Sequence, residues 1–370
     1  MFQFSKKLLL ILILLSLILS IGIDNITHAR DIEEQFEEYY RGKVLSVQEF
    51  VHDEYSRMIQ QKAEVVITTG PHRGERITVT NNYEKGSTYL SLYLEEKQDV
   101  ILVSRDTNGR VDQIQLHDVA RDRGLFYLTA IFLLLLLLVG GKAGLKTIIT
   151  LAFAGVIIAR FMLPLLLRGY DPIFITSISA IIIIIPSLLI IGGFNEKSVA
   201  AIIGTATGVA IAGILTLWVG EVSHLTGFNS EEAMMLFNLE QDINIRGLLF
   251  AGIIVGSLGA VTDVSMSVAS AISEISNSNP SLRVHSLMIG GLNVGRDIMG
   301  TMANTLLLAY VGSAIPLLLL LLGVEMHWMR IINMDIIATE FVRGITGSIG
   351  LIISIPVTAF IAAILSARKS

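Results

Sequence analysis

The sequence contains no cysteine, which excludes disulfides and thiolate chemistry, catalytic or metal-binding. It is also poor in charge: Asp, Glu, Lys and Arg make up 16% of its 370 residues, where an ordinary soluble domain carries about 25%. No basic patch marks a nucleic-acid surface. Neither a GxSxG elbow, an HExxH pair nor a Walker loop occurs. His52, His72 and His117 are scattered without ligand spacing and read as surface histidines. The expectations are therefore no cofactor, no metal site and no enzyme.

Apolar side chains dominate instead. They form 52% of the chain, the mean hydropathy is +0.67, and they are bunched into runs of about twenty, the length that crosses a hydrocarbon core. The sequence predicts a polytopic α-helical membrane protein of about eight spans. Lys6 and Lys7 precede Leu8 to Ile23, so residues 1–23 read as a signal anchor or signal peptide.

Charge is unevenly placed. Residues 24–123 hold 19 acidic and 13 basic side chains, a net of −6. Asp31 to Tyr40 reads as a short acidic helix or linker. Short runs rich in Val, Ile, Thr and Tyr follow, at Val44–Val51, Ala63–Thr68, Glu75–Thr80, Thr88–Leu94, Asp99–Ser104 and Arg110–Leu116. Several alternate apolar with polar, as half-buried strands do. Gly70 to Gly74 and Asn108-Gly109 supply turns. Residues 31–120 are therefore expected to form a small exported all-β barrel of the OB or SH3-like kind. Residues 124–366 are expected to form a seven-helix membrane domain.

Within that domain, Gly204 and Gly208 make a GxxxG pair, which permits close helix packing. Asn229 and Glu232 resemble a capping box opening an interfacial helix, and Met326–Phe341 reads as a second surface helix. Gly347, Gly350, Ser354 and Thr358 form a small polar stripe on the last span, expected to face the central pair of spans described next. Basic residues at the short loops place both termini in the cytoplasm and residues 24–123 outside it.

The centre of the chain is Gly247 to Leu308. On a helix beginning at Gly247, the residues Gly256, Gly259, Asp263, Ser267, Ser270 and Glu274 share one stripe. Asp263 falls near the middle of the span, where a carboxylate costs roughly 2.5–3.5 kcal/mol on insertion scales. It must face protein or water. The bland alternative is that it pairs with a buried arginine. The next span repeats the pattern, with Asn293, Asp297, Thr301 and Asn304 on one face and Gly300 beside them. Gly256, Gly259 and Gly300 are expected to let helices approach closely. Gly290 to Asp297 is glycine-rich and reads as a re-entrant or hinge segment.

The run Gly259-Ala260-Val261-Thr262-Asp263-Val264-Ser265-Met266-Ser267 and the run Gly295 to Leu306 resemble the YibE/F family of bacterial membrane proteins. Gly193 to Lys197 and the turn around Gly70 to Gly74 are similar too. The resemblance implies location in the bacterial cytoplasmic membrane and directs attention to residues 256–304. It brings no substrate or mechanism.

The functional expectation is an ion- or proton-coupled transporter of a small solute. Asp263, Ser267, Asp297, Thr301 and Asn304 would line a polar site between spans six and seven. Its partners would be the lipid bilayer, an unidentified solute or ion and, in a homo-oligomer, a second copy. The alternative is a non-transporting scaffold whose β domain docks an envelope or secretion partner.

Overall fold

A computed structural model describes residues 38–51, 58–84, 92–104, 114–239 and 243–367. The signal segment, residues 31–37, His52, the Asn108-Gly109 turn and most of the strand expected at Thr88–Leu94 lie outside those residues. The chain divides into two compact units, and the boundary falls within one helix, between Leu135 and Leu136.

The first unit is a five-stranded antiparallel sheet. Its strands are β1 (Glu38–Val51), β2 (Met58–Ile67), β3 (Arg76–Glu84), β4 (Asp99–Ser104) and β5 (Ile114–Val119). They lie in the order β3-β2-β1-β4-β5, a half-barrel rather than the closed barrel expected from strand spacing. β1 already begins at Glu38, so the end of the expected acidic helix or linker is strand. Residues 92–94 are not in a strand. They are tied to the sheet through side chains. The side-chain amide of Gln61, fully buried, donates to the carbonyl of Leu94 at 3.2 Å, and its Oε1 accepts from the Leu94 amide at 3.0 Å and from Asn81 Nδ2 at 3.1 Å. A buried amide with these partners avoids the penalty of an unpaired polar group.

Alternation works as the sequence predicts: along β2, Ile59, Gln61, Ala63, Val65 and Ile67 point inward. Gly42 is forced by packing, since a Cβ there would lie 2.9 Å from Leu102 and closer still to Val65. The turn from β2 to β3 uses Gly70 and Gly74, both at positive φ. Ion pairs Arg41–Asp122 and Arg123–Asp99 (2.5 Å) tie the first turn of the following helix to the sheet, and Arg121, just before it, pairs with Asp118 (2.6 Å).

That helix is α1 (Asp122–Gly140). After it come α2 (Lys142–Leu167), α3 (Pro172–Gly192), α4 (Glu196–Val222), α5 (Glu231–Leu239), α6 (Ile245–Ser278), α7 (Val284–Ser313), α8 (Ile315–Gly323), α9 (Trp328–Ile332) and α10 (Asp335–Ala367). Six of these are long and apolar enough to cross a membrane, and seven if the bent pair α7–α8 counts as one span. The helix starts are written in the sequence. Asp171, Asn195 and Asn244 each accept a hydrogen bond from the amide three residues on, at 2.8, 3.1 and 2.8 Å, capping α3, α4 and α6.

Three expectations about the helices change, and one turn is a feature of its own. Ser230, not Asn229, accepts the capping bond of α5, from Ala233 at 3.2 Å. The second surface helix shrinks to α9, because residues from Asp335 onward already belong to the last long helix. The glycine-rich run Gly290–Asp297 is unbroken helix; the bend, 57°, falls instead at Ala314, before Pro316. Pro164 produces a π-helical turn over Ile158–Met162. Proline has no N–H for the Arg160 carbonyl, and the wider turn absorbs the mismatch. Arg160 itself is exposed there.

The core of the second unit is the mutual packing of α4, α6 and α10, with α3 and α7 laid against it.

Candidate functional site

The stripe that the sequence singles out on α6 is real as a face, and its placement is specific. Val261, Val264, Ser265 and Val268 turn into the core, while Gly256, Gly259, Asp263, Ser267 and Glu274 are exposed. On α7, Gly291 and Gly295 are buried, and Asn293, Asp297, Gly300, Thr301 and Asn304 are exposed. The seam between the two helices is apolar and glycine-lined: a Cβ at Gly291 would overlap Ile272, and one at Gly295 would overlap Ile355 and lie 3.4 Å from Val268. The predicted polar residues therefore flank this seam on the outward side of the bundle and are not enclosed between the two helices.

Depth can be read from the same contacts. The two helices run antiparallel, with Gly295 beside Val268 and Gly291 beside Ile272. Six residues beyond Gly295, Thr301 is level with Thr262 and Asp263. Asp297 is likewise level with Met266 and Ser267. The exposed polar residues of the two helices thus form one band at matched depth.

Asp263 makes no hydrogen bond and no ion pair with the described residues, so no arginine among them neutralises it. Its neighbours spend their hydroxyls locally: Thr262 donates to the Leu258 carbonyl at 2.6 Å and Thr301 to the Ile298 carbonyl at 2.8 Å. Arg296 Nη1 reaches Asn293 Oδ1 at 3.5 Å. The space above Gly259 and Gly300 is open: a Cβ added at either would meet no heavy atom of another element within 4 Å. The close packing expected at these two glycines is not seen, because both lie on the outward face. Gly256 differs: the hydroxyl of Tyr310 lies over it.

The GxxxG pair on α4 sits elsewhere. Gly204 lies against Thr358, and Gly208 against the Gly350 carbonyl, Ser354 and Val261. The stripe on α10 therefore faces mainly α4. Gly347 meets the central pair, beside Leu306 and Ser257. Thr216 donates to Thr346 across this seam at 2.9 Å, fully buried. This seam of small and hydroxyl residues was not identified as a unit from sequence, although equal spacing of Gly, Ser and Thr on two spans was a usable signal.

Sequence reasoning also passed over the cluster around Tyr310. Arg343 stacks 5.7 Å from the centre of its ring and donates to Glu340 at 2.8 Å. Acid and base three apart at the head of the last span were the available sign.

No curated protein and no solved structure matches this chain. A family model described as YibE/F-like protein matches residues 128–368, which include all of the site just described, and the chain belongs to that family.

Proposed function

We propose that this protein is a membrane transport protein that moves a proton or small cation, alone or with a solute, along the outward polar band of α6 and α7. One observation carries the reading. Asp263 stands near the middle of a 34-residue helix, exposed and without a partner among the described residues. A lipid tail does not solvate a carboxylate, so water or a second copy of the chain covers this face. A carboxylate kept at that depth, with Ser267 one turn away and Thr301 at the same level, has the composition of a cation-handling site. Asp297 and Asn304 extend the band. In this reading residues 24–123 lie outside the cytoplasm and both termini inside, in keeping with the distribution of basic residues.

The test is proton flux in proteoliposomes under an imposed pH gradient, read by an internal pH dye. Asp263→Asn abolishes the flux and leaves the melting temperature unchanged. Equal flux in parent and variant ends the reading.

A second reading is favoured by a different observation: the half-barrel exposes Leu45 and Phe50 on β1. In a non-transporting scaffold, these would meet an envelope partner. Deleting residues 31–120 would then remove all function, and Asp263→Asn would act only through stability.

A further inference from the structure

The outward face of α7 is polar over about three turns. Asn293, Arg296, Asp297, Gly300, Thr301 and Asn304 are all exposed there. Arg296 lies in the middle third of the 30-residue helix, and its guanidinium makes only a long approach to Asn293 Oδ1, at 3.5 Å. Neither Arg296 nor Asp297 forms an ion pair with the described residues. The two charges are adjacent in sequence, so their backbones differ in depth by about 1.5 Å. One turn on, Gly300 is bare: a Cβ there meets no heavy atom of another element within 4 Å.

Lipid tails do not satisfy two opposite charges on one helix face, so a polar partner covers it. The other apolar runs of this chain are poor candidates. Leu8 to Ile23 and Leu125 to Val139 contain no charged side chain, so neither complements an arginine beside an aspartate. A second copy of the chain does, because it carries both signs at the same level. Copies inserted in the same orientation and related by a two-fold axis along the membrane normal keep every residue at its own depth. Arg296 of each copy then stands opposite the partner's Asp297, which makes two reciprocal ion pairs. The missing side chain at Gly300 lets two α7 helices approach closely one turn away. The charges also set register, since sliding one helix by a turn would separate both pairs.

We propose that the outward face of α7 is the interface of a symmetric homodimer, held by reciprocal Arg296–Asp297 ion pairs between the copies and by close approach at Gly300. The second copy also completes the polar band. Thr301 is level with Asp263 on the neighbouring helix. In the dimer Asp263 therefore borders the gap beside the interface, and the partner's α7 forms the facing wall. That consequence rests on the reading of Asp263 given above, whereas the pairing of the copies stands without it.

The absence of cysteine from the chain makes the first test direct. Gly300→Cys places a single thiol at the contact, and oxidation of native membranes with copper phenanthroline gives a disulfide-linked dimer on a gel. Ile214→Cys, on the exposed side of α4, gives none. The second test measures association of the purified full chain in lipid vesicles, by energy transfer between copies carrying C-terminal fluorescent tags. Arg296→Asp sets like charges opposite each other and weakens association at least about tenfold. Adding Asp297→Arg restores both ion pairs and the parent affinity, a rescue that a merely destabilised helix would not give. This double exchange keeps the charge balance of the parent and, with G300C, serves if R296D alone fails to insert. The dimer is overturned if the parent stays monomeric in vesicles, if G300C cross-links no more than I214C, or if the double exchange associates no better than R296D. The two proposals fail separately. If the copies pair and Asp263→Asn keeps full flux, the transport reading falls and the dimer stands. If Asp263→Asn loses flux in a protein that is monomeric, the dimer alone falls.

Discussion

The two sides of α6 are made of similar residues and live in opposite surroundings. Inward, Ser257 and Ser265 face a seam with α4 and α10 in which Gly204, Gly208, Gly350, Ser354 and Thr358 bring three helices together. Outward, Gly259, Asp263 and Ser267 are exposed, and nothing that the structure describes lies over Gly259. Small and polar residues at helical spacing therefore have two meanings within one helix. Inside they permit close approach; Ser257 and Ser354 spend their hydroxyls on neighbouring backbone and Thr216 on Thr346, while Ser265 and Thr358 are buried without a partner among the described residues. Outside they form a surface that lipid does not solvate. What separates the two sets is charge: the outward faces of α6 and α7 carry the carboxylates, and the seam carries only neutral groups.

That contrast can be broken by substitution, beginning with function. Loss of proton flux in Asp263→Asn without loss of stability is the largest effect expected. The glycines then separate the two faces by the sign of their effect on stability. At Gly208 a Cβ meets the Gly350 carbonyl at 2.6 Å and Val261 at 2.8 Å, so Gly208→Ala forces helices apart and costs about 1–3 kcal/mol. At Gly259 a Cβ meets nothing, and Gly259→Ala raises stability by up to about 1 kcal/mol through helix propensity. Thermal unfolding of the two purified variants shows melting points displaced in opposite directions. Displacement in the same direction removes the distinction between the faces.

A smaller effect tests the seam's polar content. Thr216→Val removes the donor to Thr346 and costs about 0.6–1.7 kcal/mol, the range for hydrogen bonds between membrane helices. A double-mutant cycle with Thr346→Val isolates that term. An additive cycle would show that the two hydroxyls do not act on each other.

The smallest expected effect lies in the β unit. Tyr40 is 4% exposed and donates to Glu38. That hydrogen bond, followed by burial and then the carboxylate charge, pushes the Tyr40 hydroxyl up to about 12. A raised folded-state value favours the protonated phenol. Its contribution is complete below the unfolded value near 10 and is lost as pH rises toward about 12. Near-ultraviolet circular dichroism of the full chain follows the alkaline transition, and Tyr40→Phe flattens that part of the profile.

Much of the architecture was legible because bilayer spans depend on local composition. Runs of about twenty apolar residues mark them, and Asp171, Asn195 and Asn244 mark where three of them begin. Other features depend on neighbours. Gly290 and Gly291 have the composition of a break, but the helix continues because their missing side chains admit Ile275 and Ile272. The bend belongs to Ala314, where Pro316 follows. Residues 335–341 carry enough charge to read as interfacial, yet they extend α10, burying Thr339 as the long helix passes beside α6. The β domain was expected to close into a barrel, and strand order leaves β3 and β5 as the two ends of a half-barrel.

Composition and periodicity alone settled the class of protein, the helical faces and the place of Asp263 along its span, because hydropathy and a 3.6-residue repeat are properties of one segment. Which of those faces is packed and which is open was settled by the assembled bundle. Assembly set Gly208 against a carbonyl and left Gly259 bare, and it brought Tyr310 and Arg343 from two other helices to the end of the Asp263 stripe. The reason is that periodicity gives the direction in which a side chain leaves its own helix, whereas what it meets depends on contacts between segments far apart in the chain.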